Sequence, residues 1–566
     1  MNGESTFYIT CAIDYANGPP HLGHALEKLG ADAMARYHRL AGRPVHFVIG
    51  MDEHGLNVLQ YARTHGLDPQ EWVDSVAALF TAAWERLGLS NDDFIRTTQP
   101  RHARAVEAII ARMRDAGDLY RGVYAGYYCV GCESYKGEDE LVPAPDRAAE
   151  GACEGGTSAL PHRPGGGGGE GGPSSPPAHP GGGGGTAEGT AGGGAEGGAA
   201  AVGQERAVED LICPLHPTRT LLWVEEENWF FRLSRFQEPL RKLIAETDFV
   251  QPEPRRNELL RVIEGGLADL SVSRARLPWG IRWPGDPDHT VYVWIDALTN
   301  YLTAVGFPDP GYERYWPADV HVIGKDITRF HCIYWPAMLM SAGLELPRRV
   351  WAHGFLTFEG RRFSKSAGVW IELADAIERH GPDALRYYLL REVPWNGDGD
   401  FSLARFDERY TADLANDLGN LVNRTLSMIE RYRGGTVPRG ARTSLDDQAA
   451  AIVARYREVM DASLLHLGAA AGLELAARAN AFVVERAPWQ QAREGRDAEL
   501  DATLGSLARA LATLSTLLEP FLPAAMASLA GRLGLDRVPM LDELPGLDPA
   551  GRTVSRGEVL FPKEER

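Results

Sequence analysis

Two histidines, His21 and His24, flank Leu22 and Gly23 directly behind the pair Pro19 and Pro20. A His-x-x-His pair can supply half of a metal site, but nothing beside it reads as the rest of a four-ligand set. Taken alone, two histidines at a helix start are more often caps or surface groups. The flanking pattern changes that weighting. Upstream, "FYITCAID" alternates Phe7, Ile9, Cys11 and Ile13 against Tyr8, Thr10, Ala12 and Asp14, the period of a strand. Downstream, Leu22, Leu26, Leu29, Ala33, Tyr37 and Leu40 recur at steps of three and four, the period of an amphipathic helix. The histidines therefore sit at a helix N-terminus, where free N–H groups and the positive dipole end favour an anion such as phosphate. Gly23 leaves room for a flat group such as adenine against the backbone.

Three further groups of residues carry chemistry. In "FEGRRFSKSAG", residues 358–368, Lys365 stands between two serines and just before Gly368. By itself this is a basic surface loop; over a phosphate-bearing ligand the lysine acts as a mobile point charge. Cys129 and Cys132 form a C-x2-C knuckle, and Cys213 with His216 forms a C-x2-H partner. Three thiolates and one imidazole make a closed tetrahedral zinc set, one ion per chain. The 80 residues between Cys132 and Cys213 are an unusual span. Lengthening a flexible loop that far costs only about 1.7 kcal/mol, against roughly 10 to 16 kcal/mol for structural zinc in small fingers. Cys153 stands alone in the intervening segment and is not expected to compete. Finally, Trp294, Ala297, Leu298 and Tyr301 share one helix face, a stripe that alone is more often core than pocket.

The elements that must position these groups follow from the rest of the chain. Its 566 residues are too many for one core. A charged fraction of 24% and a hydrophobic fraction of 44% are those of an ordinary soluble protein. The start "MNGESTFYIT" has no basic segment leading into an apolar run, and no run of eighteen apolar residues occurs, so neither secretion nor membrane spanning is expected. Six cysteines make no disulfide framework, which favours a cytoplasmic location. A net charge of -19 leaves nucleic-acid contacts to local basic patches.

Residues 1–115 alternate strands and helices in the rhythm of a parallel sheet, with "RPVHFVIG" a second buried strand ending in "MDEHG". Residues 116–245 carry the knuckle and, from 147 to 205, a glycine-rich insertion that cannot build a core. "TVYVWIDALTNYLTAVG" and "DVHVIGKDITRFHCIYWPAMLMSAG" each read as strand then helix, so the sheet resumes over residues 246–350. Residues 351–402 hold the Lys365 loop, 403–546 form a helical bundle, and 547–566 form a tail.

"HLGH" resembles the HIGH signature of class I aminoacyl-tRNA synthetases, and "RFSKS" resembles their KMSKS loop. Within that class the chain is similar to the methionyl-tRNA synthetase family: "CAIDYANGPPHLGHALE", "GMDEHG", "YVWIDALTNY", "VIGKDITRFH" and "DALRYYLLRE" follow in its order, and the knuckle is typical of its connective domain. The resemblance runs from about residue 6 to 546, interrupted by the glycine-rich insertion. It implies an α/β fold: a Rossmann-like parallel-sheet catalytic domain split by a zinc-knuckle connective domain, then an α-helical anticodon-binding bundle. It also implies ATP-dependent ligation of L-methionine to tRNA(Met) through methionyl-adenylate, with Mg²⁺ accompanying ATP and no protein nucleophile.

Carried over residue by residue, the resemblance gives His21, His24 and Lys365 the catalytic roles, with Gly23 and Arg362 completing the ATP site. Ala12, Ile13, Tyr15, Asp52, Trp294, Ala297, Leu298, Tyr301 and His331 become the methionine site, Asp52 pairing with the substrate ammonium and the aromatic rings with its sulfur. Asn420 and Arg424 in "GNLVNR", with Trp489 in "RAPWQQ", become the anticodon-reading group. Four positions depart from the family. Asp14 stands where proline or another uncharged residue is common, Met51 replaces a small polar residue, and Arg362 and Phe363 replace lysine and methionine. The end "VLFPKEER", without a further tRNA-binding domain, leads to the expectation of a monomer. The competing readings are a paralogue that activates another amino acid or serves another acceptor, and a catalytically silent tRNA-binding protein.

Overall fold

The computed structural model describes residues 6–131, 134–144, 205–214, 219, 221–275, 277–361 and 371–563. They form two compact units, Met1–Tyr124 with Glu227–Arg566, and Ala125–Glu226.

The larger unit is organised by a seven-stranded sheet made of Phe7–Cys11 (β1), Asp14–Tyr15 (β2), Val45–Asp52 (β3), Asp93–Arg96 (β4), Val250–Gln251 (β5), Val320–Gly324 (β6) and Val350–His353 (β7). The order is β5-β7-β6-β1-β3, and β3 then pairs with both β2 and β4; all pairings are parallel. Alternation divides the side chains between two cores. Phe7, Ile9, Cys11, Phe47, Ile49, Val320 and Val322 enter one, while Tyr8, Val48, Ile323 and Ala352 enter the other. Covering both faces is what a parallel sheet requires. From β1 the chain builds outward through β3 and β4, then returns to the other side of β1. The switch point lies between β1 and β6, and ligands of such sheets bind outside the carboxyl ends of those strands.

The helix Leu22–Leu40 (α1) follows β1 and β2. Its sequence reads as one-sided, yet the run from Ala25 to Ala35, Glu27, Lys28 and Asp32 included, is buried. The sheet takes one side and the helices of the C-terminal region take the other. Arg386, itself wholly buried, makes that junction: it donates to Asp32 Oδ2 at 2.6 Å, to the Pro520 carbonyl at 3.0 Å and to the Leu87 carbonyl at 3.2 Å. Burial alone would raise the Asp32 pKa, but Arg386 and Arg36 outweigh it and hold the carboxyl at about 2. Removing one partner of such a pair leaves a buried charge uncompensated.

One expected strand takes a different place. Asp286–Val291 belongs to a separate three-stranded antiparallel sheet, not to the parallel one. Its first residues, Asp286, Pro287 and Asp288, are polar or exposed, unlike the continuous apolar run of a central parallel strand. The helix after it, Val293–Leu298 (α2), forms as the spacing predicts. The C-terminal region is helical and includes Pro382–Glu392 (α3), Asn420–Arg433 (α4), Ser444–Asp461 (α5), Leu465–Arg486 (α6) and Asp497–Leu518 (α7). Apolar enough over its length to resemble a membrane span, α6 instead buries Leu465, Ala469, Leu475, Ala479 and Val483 within the bundle.

In the smaller unit, Ser134–Lys136 pairs antiparallel with Tyr127, Tyr128 and Cys129, and Glu205–Val208 pairs antiparallel with Leu221, Leu222, Trp223 and Val224. Cys129, Leu141, Cys213 and Leu221 form its small buried cluster. One cysteine from each half of the expected knuckle, Cys129 and Cys213, thus lies in this cluster, while Cys132 and His216 lie outside the described residues.

Candidate active site

His21 is the N-cap of α1, with extended backbone at φ -133° and ψ 175°. Its Nδ1 accepts from the Gly23 amide at 3.1 Å, and His24 Nδ1 accepts from the His21 amide at 3.3 Å, a capping box closed by two imidazoles. Because both Nδ1 atoms accept, both rings carry their proton on Nε2. The rings stack with centroids 3.7 Å apart. Burial, His21 and Lys28 all push the His24 pKa down, so its imidazole is a neutral donor. A Cβ on Gly23 would lie 2.9 Å from His21 Cε1, so the glycine makes room for the capping ring in this arrangement.

Beneath this turn lies a charged group that sequence reasoning missed. Lys28 Nζ donates to the Ala12 carbonyl at 2.7 Å, to Asp14 Oδ1 at 2.7 Å and to Glu27 Oε1 at 2.9 Å. Glu27 Oε2 lies 3.2 Å from His353 Nε2, at the end of β7. Burial would raise Glu27, but Lys28 and His353 hold it at about 2. Burial dominates at Asp14 and, despite Lys28, lifts it to about 7. The signal available beforehand was the pair Glu27–Lys28 between Leu26 and Leu29; a one-sided helix would have turned it to solvent.

The residues expected to hold an amino acid lie on both sides of the switch point. Ala12 is buried and Ile13 and Tyr15 are half-buried at the ends of β1 and β2, and buried Asp52 ends β3 in register with Tyr15. On α2, Ala297 and Leu298 are buried and half-buried Trp294 stacks on Phe330, centroids 3.6 Å apart. Tyr301 Oη lies 2.7 Å from His331 Nε2, and His331 Nδ1 lies 3.0 Å from the Ile327 carbonyl. The carbonyl can only accept, so Nδ1 carries the proton and Nε2 accepts from the tyrosine. Burial lowers the His331 pKa to about 4, which keeps this tautomer neutral. His331 sits in a π-helical turn, Phe330–Tyr334, a local widening common at functional sites.

The helix carrying Trp294 is pinned from below. Asp296 Oδ2 pairs with His54 Nδ1 at 2.6 Å and Oδ1 with His102 Nε2 at 2.7 Å, so the "MDEHG" segment and α2 share one buried carboxylate. Burial opposes its charge, but His54 and His102 prevail and hold Asp296 at about 2.

Lys365 and Arg362 lie outside the described residues, as do Cys132 and His216. Among the described residues no group of three or more His, Cys, Asp or Glu side chains is placed to hold a metal ion. Farther along, Asn420 and Arg424 are exposed on α4, and Trp489 is 43% exposed on the short helix Pro488–Arg493.

A parallel sheet covered on both faces, with a helix N-terminus suited to an anion at its switch point and a helical region after it, is an arrangement able to hold a phosphate-bearing ligand. The family model described as tRNA synthetases class I (M) matches residues 7–159 and 200–426. The chain is 40% identical over 567 aligned positions to methionine–tRNA ligase of Brucella suis, covering 98% of each chain, and 38% identical to that of Thermotoga maritima, covering 98% of this chain and 80% of the relative. A solved structure of Mycobacterium tuberculosis methionyl-tRNA synthetase in complex with methionyl-adenylate matches with a TM-score of 0.84 at 34% identity, covering 99% of this chain and all of that one. The apo form of the same enzyme matches with a TM-score of 0.77 at 33% identity, covering 100% of this chain and 99% of that one. The chain belongs to the methionyl-tRNA synthetase family.

Proposed function

We propose that this chain, acting in the cytoplasm, charges tRNA(Met) with L-methionine in two steps. The observation that carries the reading is the capping box that holds the two imidazoles of His21 and His24 by Nδ1 at the switch point, in a family whose solved member holds methionyl-adenylate. In the first step the methionine carboxylate attacks the α-phosphate of ATP and pyrophosphate leaves. In the second, a ribose hydroxyl of the tRNA terminus attacks the activated carbonyl and AMP leaves. Neither step needs a protein nucleophile, so the protein contributes positioning and stabilisation of developing phosphate charge.

In this reading His21 and His24 donate Nε2–H to phosphate oxygens, and Lys365 with Arg362 adds positive charge to the departing pyrophosphate, with Mg²⁺ accompanying ATP. Asp52 pairs with the substrate ammonium beside Ala12, Ile13 and Tyr15. Trp294, Ala297, Leu298, Tyr301 and His331 enclose the thioether, where aromatic rings make favourable contacts with sulfur. ATP–pyrophosphate exchange with each amino acid tests this: methionine should exceed leucine and cysteine by at least about tenfold, the scale on which side-chain pockets discriminate. A preference for either competitor overturns the assignment.

For zinc, the donor chemistry fits. Cys129 and Cys213 are buried in one small cluster, and Cys132 and His216 each follow three residues after one of them in the sequence. Zinc bound there would cross-link the two arms of the smaller unit and take no part in catalysis. Purified protein should hold about one zinc per chain. Deleting residues 160–200, which lie outside the described residues, should leave both zinc content and exchange intact; zinc loss on that deletion would show that the insertion supports the knuckle.

A further inference from the structure

Lys28 is fully enclosed, its side chain 1% exposed, and its three N–H bonds are spent on the Ala12 carbonyl, Asp14 and Glu27. Stability does not explain this choice. Desolvating an ammonium and two carboxylates costs several kcal/mol, and an apolar residue of similar volume commonly serves as well or better. What the ammonium does that an apolar side chain would not is hold a particular carbonyl. Ala12 lies between β1 and β2, where the chain leaves one strand and begins the next. Its amide donates to the Val322 carbonyl of β6 at 3.0 Å, and its carbonyl is taken by Lys28 at 2.7 Å. Both peptide groups of Ala12 are thereby fixed, one from the sheet and one from α1.

The charges around Lys28 serve that contact. Asp14 Oδ1 accepts from Lys28 while its Oδ2 is buried without a hydrogen-bond partner among the described residues, so the contact with Lys28 is what holds this side chain. Glu27 passes the string on to His353, whose Nδ1 lies 2.8 Å from the Gly354 carbonyl. The ends of β1, β2 and β7 are thus gathered under the turn that presents His21 and His24.

We propose that Lys28 is a positioning residue for the amino-acid substrate: by holding the Ala12 carbonyl it sets the orientation of the Ala12–Ile13 edge. This deepens the methionine-activating reading and rests on it. The edge touches substrate and Lys28 does not, so its loss should be felt in methionine recognition and not in ATP recognition.

The test compares three proteins in methionine-dependent pyrophosphate exchange, with KM for methionine and ATP measured separately. Asp14→Asn retains the Lys28–Ala12 contact and should leave both KM values within about threefold of wild type. Lys28→Met combined with Asp14→Asn removes the ammonium together with the carboxyl that faces it, so the difference from Asp14→Asn alone is the loss of the carbonyl's donor. It should raise KM for methionine about tenfold or more while KM for ATP stays within about threefold, the scale expected when a reacting group is misplaced by a fraction of an ångström. Should that protein fail to fold, Lys28→Leu with Asp14→Ser repacks the site with smaller groups and is read the same way. An unchanged KM for methionine, or a fall in kcat that tracks the folded fraction with both KM values unchanged, makes Lys28 purely structural and overturns the proposal. Failure of the wild-type protein to exchange pyrophosphate with methionine would instead overturn the underlying function.

Discussion

Replacing His24 with asparagine is expected to lower ATP–pyrophosphate exchange about 10²- to 10³-fold, the loss typical of removing one preorganised donor from developing charge, while the melting temperature stays close to wild type. The asymmetry follows from the two nitrogens of the ring. Nδ1 accepts from the His21 amide at 3.3 Å and so belongs to the cap; Nε2 carries the proton and, in the proposed reading, donates it to a phosphate oxygen. An asparagine Oδ1 stands near the position of Nδ1 and can take over the cap, but nothing replaces Nε2–H. His24→Ala removes both, and should add a loss of stability from the broken half of the capping box. Because the donor acts when charge develops on the phosphates, the deficit should appear in kcat more than in KM for ATP. Burial already keeps the His24 imidazole neutral, so the wild-type rate should show no step attributable to its protonation across neutral pH. An Asn variant with full exchange activity, or one whose rate and melting temperature fall together, would reduce His24 to a structural cap.

The same corner shows what a sequence can disclose. The alternation of "FYITC" and the three-four spacing from Leu22 to Leu40 mark the strand and helix that form at Phe7–Cys11 and Leu22–Leu40, since each pattern reports one local period. Periodicity says which face is apolar, not how many neighbours a helix has. With layers on both sides, α1 draws Glu27, Lys28 and Asp32 into the interior, where partners from β7 and α3 compensate them. The strand at the start of "TVYVWIDALTNYLTAVG" forms but joins another sheet for a related reason: its apolar end is legible, whereas the sheet it joins depends on pairings no local pattern encodes. Tyr301 and His331, thirty positions apart, meet at 2.7 Å through tertiary packing: Tyr8 of β1 donates to the Tyr301 carbonyl, and His331 lies in the π-helical turn after β6, the strand beside β1. Of the four residues that residue type nominates for a knuckle, Cys129 and Cys213 share a buried cluster, while Cys132 and His216 lie outside the described residues.

Trp489→Ala is expected to weaken aminoacylation of tRNA roughly five- to a hundredfold, as losing an aromatic that stacks on one base typically costs about 1 to 3 kcal/mol. The local structure gives the tryptophan an exposed platform. Ala487 ends α6 in the left-handed region, at φ 41°, and the chain turns there into Pro488–Arg493. That short helix is anchored by buried Pro488 and Gln491, which leaves Trp489 43% exposed. Truncating it removes surface and opens no core cavity, so the fold should hardly register the change. Asn420 and Arg424 stand exposed at adjacent turns of α4, and Asn480 of α6 donates to the Asp417 carbonyl at 3.0 Å just before α4 begins. Polar donors and an aromatic ring are the combination that reads splayed-out bases of a single-stranded loop. Pyrophosphate exchange needs no tRNA and, in the proposed reading, takes place at the strand ends of the sheet, so the same variant should exchange at the wild-type rate. Equal damage to both activities would show that Trp489 acts through the stability of the whole chain and leave the anticodon to other residues.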